Sequence, residues 1–330
     1  MPQTVGAGSA KTRGLKLDFL RTYYRHYDGL KEALSAIAQI GLPSDGDLET
    51  YFRWASAPHM KRWVRGTNVS SKAFGGVSFT ATNYEWAQSV PWHFADEQDD
   101  QTKSLPEAVR QMAESAGQID ERVFFQIITA GTDVDLLGTV PTAPDGQALF
   151  ATTSDGSTAR FGATSGNALT GTGTSEAQLR TDYNTAMTQF GLYDDTEGQP
   201  LWPASVLDGG VTIYFAQDAT MRERFNAVFK RELVHSVISS TGAGVSNEIL
   251  EQNVTLVPTA RLTGNEWYIA LKKAPQKALF SQERMAPIEL NEAWDNSDVT
   301  RRTGVKEFGV VMRRGYGVSD PYQILSVTNS

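Results

Sequence analysis

The chain has 330 residues, 40% hydrophobic and 21% charged, and its 38 acidic against 30 basic residues leave a formal net charge of −8. This is a globular composition sized for one large or two ordinary domains, and its acidic balance argues against the basic stripe that tight duplex binding needs. The absence of cysteine excludes disulfides, thiolate nucleophiles and cysteine-held metals, and no apolar run approaches the roughly 18 residues of a membrane-spanning helix.

Near the N-terminus, Gly6, Gly8, Lys11 and Thr12 imitate a phosphate loop. Ala10 stands where the glycine before the lysine belongs, and no strand precedes it, so an arm is the better reading. No basic segment followed by an apolar run is present, so no secretory signal is expected. Residues 15–40 read as helix, because Leu17, Leu20, Tyr24, Tyr27, Leu30, Leu34 and Ile37 recur at three- and four-residue spacing, with Gly29 as a bend. Its apolar stripe is expected to lie against neighbouring subunits instead of in its own core. Residues 41–46 read as a loop. A short helix is expected from Pro58 to just before Gly66.

Residues 66–131 carry the densest signal. An arriving strand alternates Val77, Phe79 and Ala81, and a leaving strand alternates Trp86, Val90, Trp92 and Phe94, which predicts a hairpin turning near Asn83. A lone two-stranded ribbon is marginal in water, and no third strand beside it is evident, so its partner surface is expected on another subunit. The run of Asp96, Glu97, Asp99 and Asp100 reads either as a solvated face or as a hinge meeting a neighbour's basic residues. A capping box at Ser104 and Glu107, with Pro106 in the first turn, opens a single helix. Its apolar stripe runs from Leu105 to Ile128, so the helix would span roughly 40 Å, with Gly117 tolerated inside it.

Residues 138–173 are rich in Gly, Thr, Ser and Ala, and a β excursion is expected near 150–161. Gly171 and Gly173 lead into a helix capped by Ser175 and Gln178 and ended by Gly191; a turn is the better reading than a phosphate site. A buried strand follows at 211–215 and a helix at 219–235. Further strands are expected at 254–257, 267–271, 288–290 and 306–312. Mixed, non-alternating helices and strands indicate α+β.

No motif carries chemistry. The histidines 26, 59, 93 and 235 are scattered, so no metal site is expected. The seven tryptophans form no stacking platform, and packing is the better reading. No catalytic residue and no cofactor is expected.

Residues 51–64 (YFRWASAPHMKRWV), 79–100 (FTATNYEWAQSVPWHFADEQDD), 145–150 (DGQALF), 266–270 (EWYIA) and 305–323 (VKEFGVVMRRGYGVSDPYQ) together resemble the major head subunits of Mu-like phages and prophages, the gpT family. That resemblance implies a Hong Kong 97-type major capsid fold. It divides the chain into an N-terminal arm (1–47), a connection (48–65), an E-loop hairpin (66–100), a peripheral domain with spine helix and β excursion (101–174), an axial domain (175–265) and a return to the peripheral domain (266–330). It implies a chain that self-assembles into pentamers and hexamers of an icosahedral shell, enclosing double-stranded DNA without sequence-specific binding and with no membrane. Scaffolding, portal and decoration proteins would be further partners, and the setting would be the virion, with assembly in the host cytoplasm.

The expected inter-subunit contacts are Val77, Phe79, Asn83, Trp86 and Trp92 of the hairpin, Asp96, Asp99 and Asp100 at its base, and Leu17, Tyr24 and Tyr27 of the arm. A loop carrying Trp294, Asp295, Asp298, Arg301 and Arg302 is expected beside the three-fold axes, where charge pairs between copies would repeat. Two alternatives stay open: an encapsulin-like compartment of the same fold, and a carboxylate-dependent polysaccharide hydrolase suggested by the tryptophans and the acidic run.

Overall fold

The computed structural model describes residues 10–56, 60, 62–66, 68, 75–93, 104–131, 133, 135–151, 166–195, 198–230, 233–234, 245–246, 253–289 and 302–329. In chain order the first elements are α1 (Ala10–Leu34), β1 (Ala38–Pro43), β2 (Leu48–Ser56), β3 (Gly75–His93), α2 (Ser104–Gly117) and α3 (Ile119–Ile128). Next come β4 (Ala168–Thr170), α4 (Glu176–Gly191), α5 (Ala204–Leu207), β5 (Val211–Ala216) and α6 (Ala219–Lys230). The chain continues through β6 (Leu233–Val234), β7 (Val245–Ser246), β8 (Val254–Thr259), β9 (Glu266–Leu271), β10 (Leu279–Glu289), β11 (Val305–Val318) and β12 (Ile324–Thr328).

Two five-stranded sheets organise the described residues. The first has the order β1-β10-β11-β3-β2 and the second β4-β12-β9-β5-β8. Strand β5 (VTIYFA) is buried along its whole length, as a continuous apolar strand covered on both faces should be. Its neighbour β9 alternates in the same way. Ile213, Phe215, Trp267, Ile269 and Leu271 face a core built with α4 and α6, while Tyr214, Tyr268 and Ala270 face a core shared with α1, α2 and α3. The second sheet is thus a wall between two cores. The side-chain amide of Gln323, fully buried, donates to the carbonyls of Ala36 (2.6 Å) and Leu271 (2.7 Å) and joins the two sheets.

At the hairpin the structure departs from what the alternation predicts. Residues 75–93 form one continuous strand, not two, and Asn83 is no tip: it is buried at 6% exposure in the middle of β3. The chain does supply the missing partners. Residues 75–82 pair with β2 and residues 83–93 with β11, both antiparallel. The true hairpin is β2–β3, with its tip between Ser56 and Gly75. The misleading feature was a change of phase. Phe79, Ala81 and Asn83 turn one face of the strand toward β10, where Phe79 packs on Phe280 (5.7 Å between centroids). Trp86, Val90 and Trp92 turn the opposite face toward the main core, where Trp86 packs edge-on against Tyr316 at 5.7 Å. A strand that changes which face it buries looks, in sequence, like a strand that has turned back.

The single spine helix is also corrected. It is broken at Gln118, whose φ of −93° and ψ of 2° leave the helical region, so α2 and α3 are separate segments. Gly117 lies where α1 comes closest: a Cβ there would stand 2.9 Å from Cβ of His26 and 3.2 Å from the Tyr23 carbonyl. Helix α1 itself belongs to its own subunit's core. Leu15, Phe19, Tyr23, Tyr27 and Leu34 are all buried on that core, and Ile37 just beyond it is too, so the expectation that the stripe lies against neighbours instead of in its own core is wrong for Tyr27, Leu34 and Ile37.

Smaller corrections follow the same logic. The first helix ends at Leu34, and β1 occupies part of the expected loop. Residues 62–64 are not helical, and a turn follows at 65–66. Helix α6 ends at Lys230, and Leu233 lies in a strand instead of the expected helix to 235. Strands β2 and β12 were not foreseen, and β10 begins nine residues before the expected start. By contrast, the α4 capping box is present, with Ser175 and Gln178 bonded reciprocally and Gly191 the last helical residue. The segments expected as a β excursion near 150–161 and as an acidic hinge at 96–100 lie outside the described residues for the most part.

Candidate assembly surfaces

Helix α1, helix α3 and the first sheet meet at one buried charged clasp. Arg314, on β11, is 1% exposed and donates from Nη1 to both carboxylate oxygens of Asp120 at 3.0 Å; Asp120 is fully buried at the start of α3. The Tyr316 hydroxyl donates to the same carboxylate at 2.7 Å. Arg314 Nη2 donates to Glu283 on β10, and the guanidinium lies 4.5 Å from the Tyr27 ring centroid. The Trp86 indole donates to the Arg314 carbonyl at 3.2 Å. Burial works against the charge of Arg314, but Asp120 beside it overrides that and holds the guanidinium charged. Burial, reinforced by Asp120, pushes the Tyr316 phenol far above its usual range. Six residues from five elements therefore depend on one another at the point where helix, strand and spine meet. Sequence reading singled out the VMRRGYG run only as a resembling segment. The usable signal was an arginine in phase with Phe308, Val310, Met312 and Tyr316, the inward face of β11.

A second polar cluster fixes the root of the β2–β3 hairpin. The Asn83 amide donates to Ser44 Oγ and to the Gly46 carbonyl, both at 2.8 Å, and Asn83 Oδ1 accepts from Gln282 at 3.0 Å. The Tyr51 hydroxyl donates to Gln282 at 2.8 Å. Glu49 accepts from the backbone amides of Gly46 and Asp45, which together hold its carboxyl below the usual range. Nearby, Arg53 reaches Asp320 at 3.0 Å and lies over the Tyr322 ring. Burial raises the Asp320 pKa despite that partner. Gly317 lies under this layer, since a Cβ there would stand 2.5 Å from the Phe280 ring. The hairpin thus springs from a rigid base.

Beyond that base the surface becomes apolar. Phe52 is 48% exposed and Val77 43%, and toward the tip Met60 is fully exposed, with Trp63 and Val64 each at 59%. The expected contact residues divide accordingly. Val77 is exposed and Phe79 half-buried on the hairpin; Leu17 and Tyr24 are exposed on the outer side of α1. Asn83, Trp86, Trp92 and Tyr27 are instead built into the subunit's own packing. Arg302 is exposed. Asp96, Asp99, Asp100, Trp294, Asp295, Asp298 and Arg301 lie outside the described residues.

Among the described residues no three His, Asp or Glu side chains come close enough together to hold a metal, and no helix is long and apolar enough to cross a membrane. Trp202 and Trp267 are core residues, and Trp86 and Trp92 pack on the other core, so these tryptophans form no platform. The N-terminus of α4 is engaged internally: Asp182 accepts from the Thr172 amide at 2.9 Å and from its hydroxyl at 2.8 Å.

The fold matches solved structures of capsids and of a phage. Against the capsid of the cyanophage P-SCSP1u the TM-score is 0.56 at 11% identity, over 89% of this chain and 87% of that one. Against the capsid of a native GTA particle it is 0.57 at 11% identity, over 90% of each chain. Against Microbacterium phage Oxtober96 it is 0.52 at 15% identity, again over 90% of each. At such identities these likenesses establish the fold, an α+β fold of the Hong Kong 97 type. No curated protein sequence matches the chain. The model of one family, the Mu-like prophage major head subunit gpT, matches residues 13–187, more than half of the chain. The chain therefore belongs to the Mu-like gpT family of major head subunits: it is a major capsid protein of the tailed-phage type, and not an enzyme.

Proposed function

We propose that the chain closes into pentamers and hexamers of an icosahedral shell, and that the β2–β3 hairpin is the arm by which each copy grips the next. The observation that carries this reading is the exposed apolar surface at the hairpin's outer end, Met60, Trp63, Val64, Phe52 and Val77, above a polar base that holds the strands at a fixed angle. Large apolar groups grouped on one projecting element mark an interaction surface, and tryptophan is favoured at interface centres. Obligate contacts of this kind bury on the order of 2,000 Å² or more.

In this reading the first sheet with α1, α2 and α3 forms the peripheral part of the subunit. The second sheet with α4 and α6 forms the axial part around the capsomer centre; of its strands, β5 and β8 lie within the division at residues 175–265. The returning segment 266–330 contributes strands to both sheets. Val77 and Phe79 contact a neighbour from the hairpin, Leu17 and Tyr24 from the arm, and Trp294, Asp295, Asp298, Arg301 and Arg302 from the loop beside the three-fold axes. The shell encloses double-stranded DNA without gripping it, which suits a net charge of −8. Scaffolding, portal and decoration proteins are further partners, and assembly takes place in the host cytoplasm.

The test is to replace residues 57–74 by a short Gly-Ser linker. That change leaves β2, β3 and the polar base in place. A subunit with parental helix content and unfolding midpoint that forms no shells is the expected result. Shells as numerous and as stable as the parent's would rule out the hairpin as the gripping arm.

A further inference from the structure

Between α1, α3 and β8 the subunit has an open groove of about 700 Å³. Its floor is apolar, with Leu30, Phe125, Tyr214 and Pro258, and two arginines, Arg25 and Arg261, stand on its walls. Glu121 faces Arg261 at 3.9 Å, and Gln118 accepts from Arg261 at 3.3 Å. His26, also on the wall, is drawn to Glu114 at 3.7 Å. Arg25 is exposed and makes no ion pair among the described residues. The groove therefore offers an apolar floor and a surplus of positive charge.

The same chain carries a segment of the opposite character. Residues 94–100 read Phe-Ala-Asp-Glu-Gln-Asp-Asp, one aromatic followed by four carboxylates within five residues. We propose that this groove is the seat of segment 94–100 of a neighbouring copy, with Phe94 on the apolar floor and the carboxylates against Arg25 and Arg261. The assignment rests on the capsid reading and names the contact that its acidic hinge makes. Complementary charge around an apolar anchor fixes both partner and register.

Reach keeps Asp99 and Asp100 of the same copy from the far end of the groove. Helices α1 and α2–α3 run side by side in the same direction: Gly117 lies against Tyr23 and His26, and further along Phe125 packs on Tyr214, whose hydroxyl donates to the Ala33 carbonyl. Ser104, where the acidic segment joins α2, therefore lies about 30 Å from Phe125 when measured along α2 and then α3. Asp99 and Asp100 are separated from Ser104 by at most five extended residues, about 18 Å. They fall short of the floor around Phe125 and Tyr214 in their own subunit, whereas the segment of a second copy carries no such tether and can lie along the whole groove.

Because the chain lacks cysteine, a cysteine pair gives a direct readout. The full chain with Ala33→Cys and Asp99→Cys is assembled and oxidised. The expected result is a ladder of covalently joined chains on denaturing gels. Shells whose chains stay single, or close only within one chain, overturn the proposal while leaving the capsid reading intact. Should the double variant fail to assemble, a synthetic peptide of residues 92–102 is titrated onto the unassembled parent chain. Saturable binding weakened about tenfold or more by Arg25→Glu with Arg261→Glu supports the assignment. No binding, or binding untouched by the reversals, overturns it. Preferential capture of duplex DNA in place of the peptide, lost with the same reversals, also overturns it and gives the groove to nucleic acid.

Discussion

Asp120 and Arg314 concentrate the subunit's risk in one pair of side chains. A buried ion pair contributes little net stability against a well-packed apolar substitute, but removing one partner strands the other charge. Asp120→Asn is therefore expected to destabilise the unassembled chain by about 3–5 kcal/mol, read as a lower urea midpoint at unchanged slope. Replacing Asp120 and Arg314 together by apolar residues should cost less than Asp120→Asn alone. A double variant that loses more than the single one would mean that the clasp contributes more than its charge. The tyrosines give a pH signature at the same scale. Burial pushes Tyr27 and Tyr183 up to about 12. In the unfolded chain these phenols lose their protons near pH 10. A group whose folded pKa is raised stabilises fully below its unfolded pKa and loses that contribution as pH rises through the folded value. Stability should thus hold to about pH 10 and fall between 10 and 12. Ultraviolet titration should show a set of phenols ionising only as the chain unfolds; complete ionisation of every tyrosine at pH 10.5 with the fold intact would contradict this burial.

At the scale of elements, the break after Gly117 and the close approach of α1 make a specific prediction. Gly117→Val should force α1 off the spine, because its Cβ would meet His26 and the Tyr23 carbonyl. A loss of about 1–3 kcal/mol in denaturant unfolding is expected, the range for overpacking a close contact. An unchanged midpoint would show that α1 is not clamped there. Element type was legible wherever one face kept one partner. The buried strand at Val211–Ala216, the capped helix Glu176–Gly191 and the strand through Met312 all read correctly from period and caps. What failed were elements whose environment changes along their length. Strand β3 exchanges both its pairing partner and its buried face at Asn83, and the spine turns at Gln118, yet neither change has a local turn signature. The short range of period-two reasoning also hid the third strand: β11 lies more than 200 residues away from β3 in sequence. The clasp was invisible for a related reason, since Asp120 and Arg314 look like ordinary surface charges until the fold brings them together.

For the whole molecule, the surface left over after folding is what matters. Both sheets are covered by helices on their core sides, and among the described residues most of the large exposed apolar groups lie on the hairpin and the outer side of α1, with Leu192 and Ile288 elsewhere. Family membership specifies a head subunit, and a compartment built on the same fold differs in what its shell contains. Electron microscopy of the purified full-length chain, with its particles opened after nuclease treatment, addresses both points at once. The account predicts closed particles of uniform size built from this chain, holding nuclease-protected double-stranded DNA when made alongside the packaging machinery. A chain that stays monomeric at every concentration and salt, with folded spectra and no particles, would contradict it.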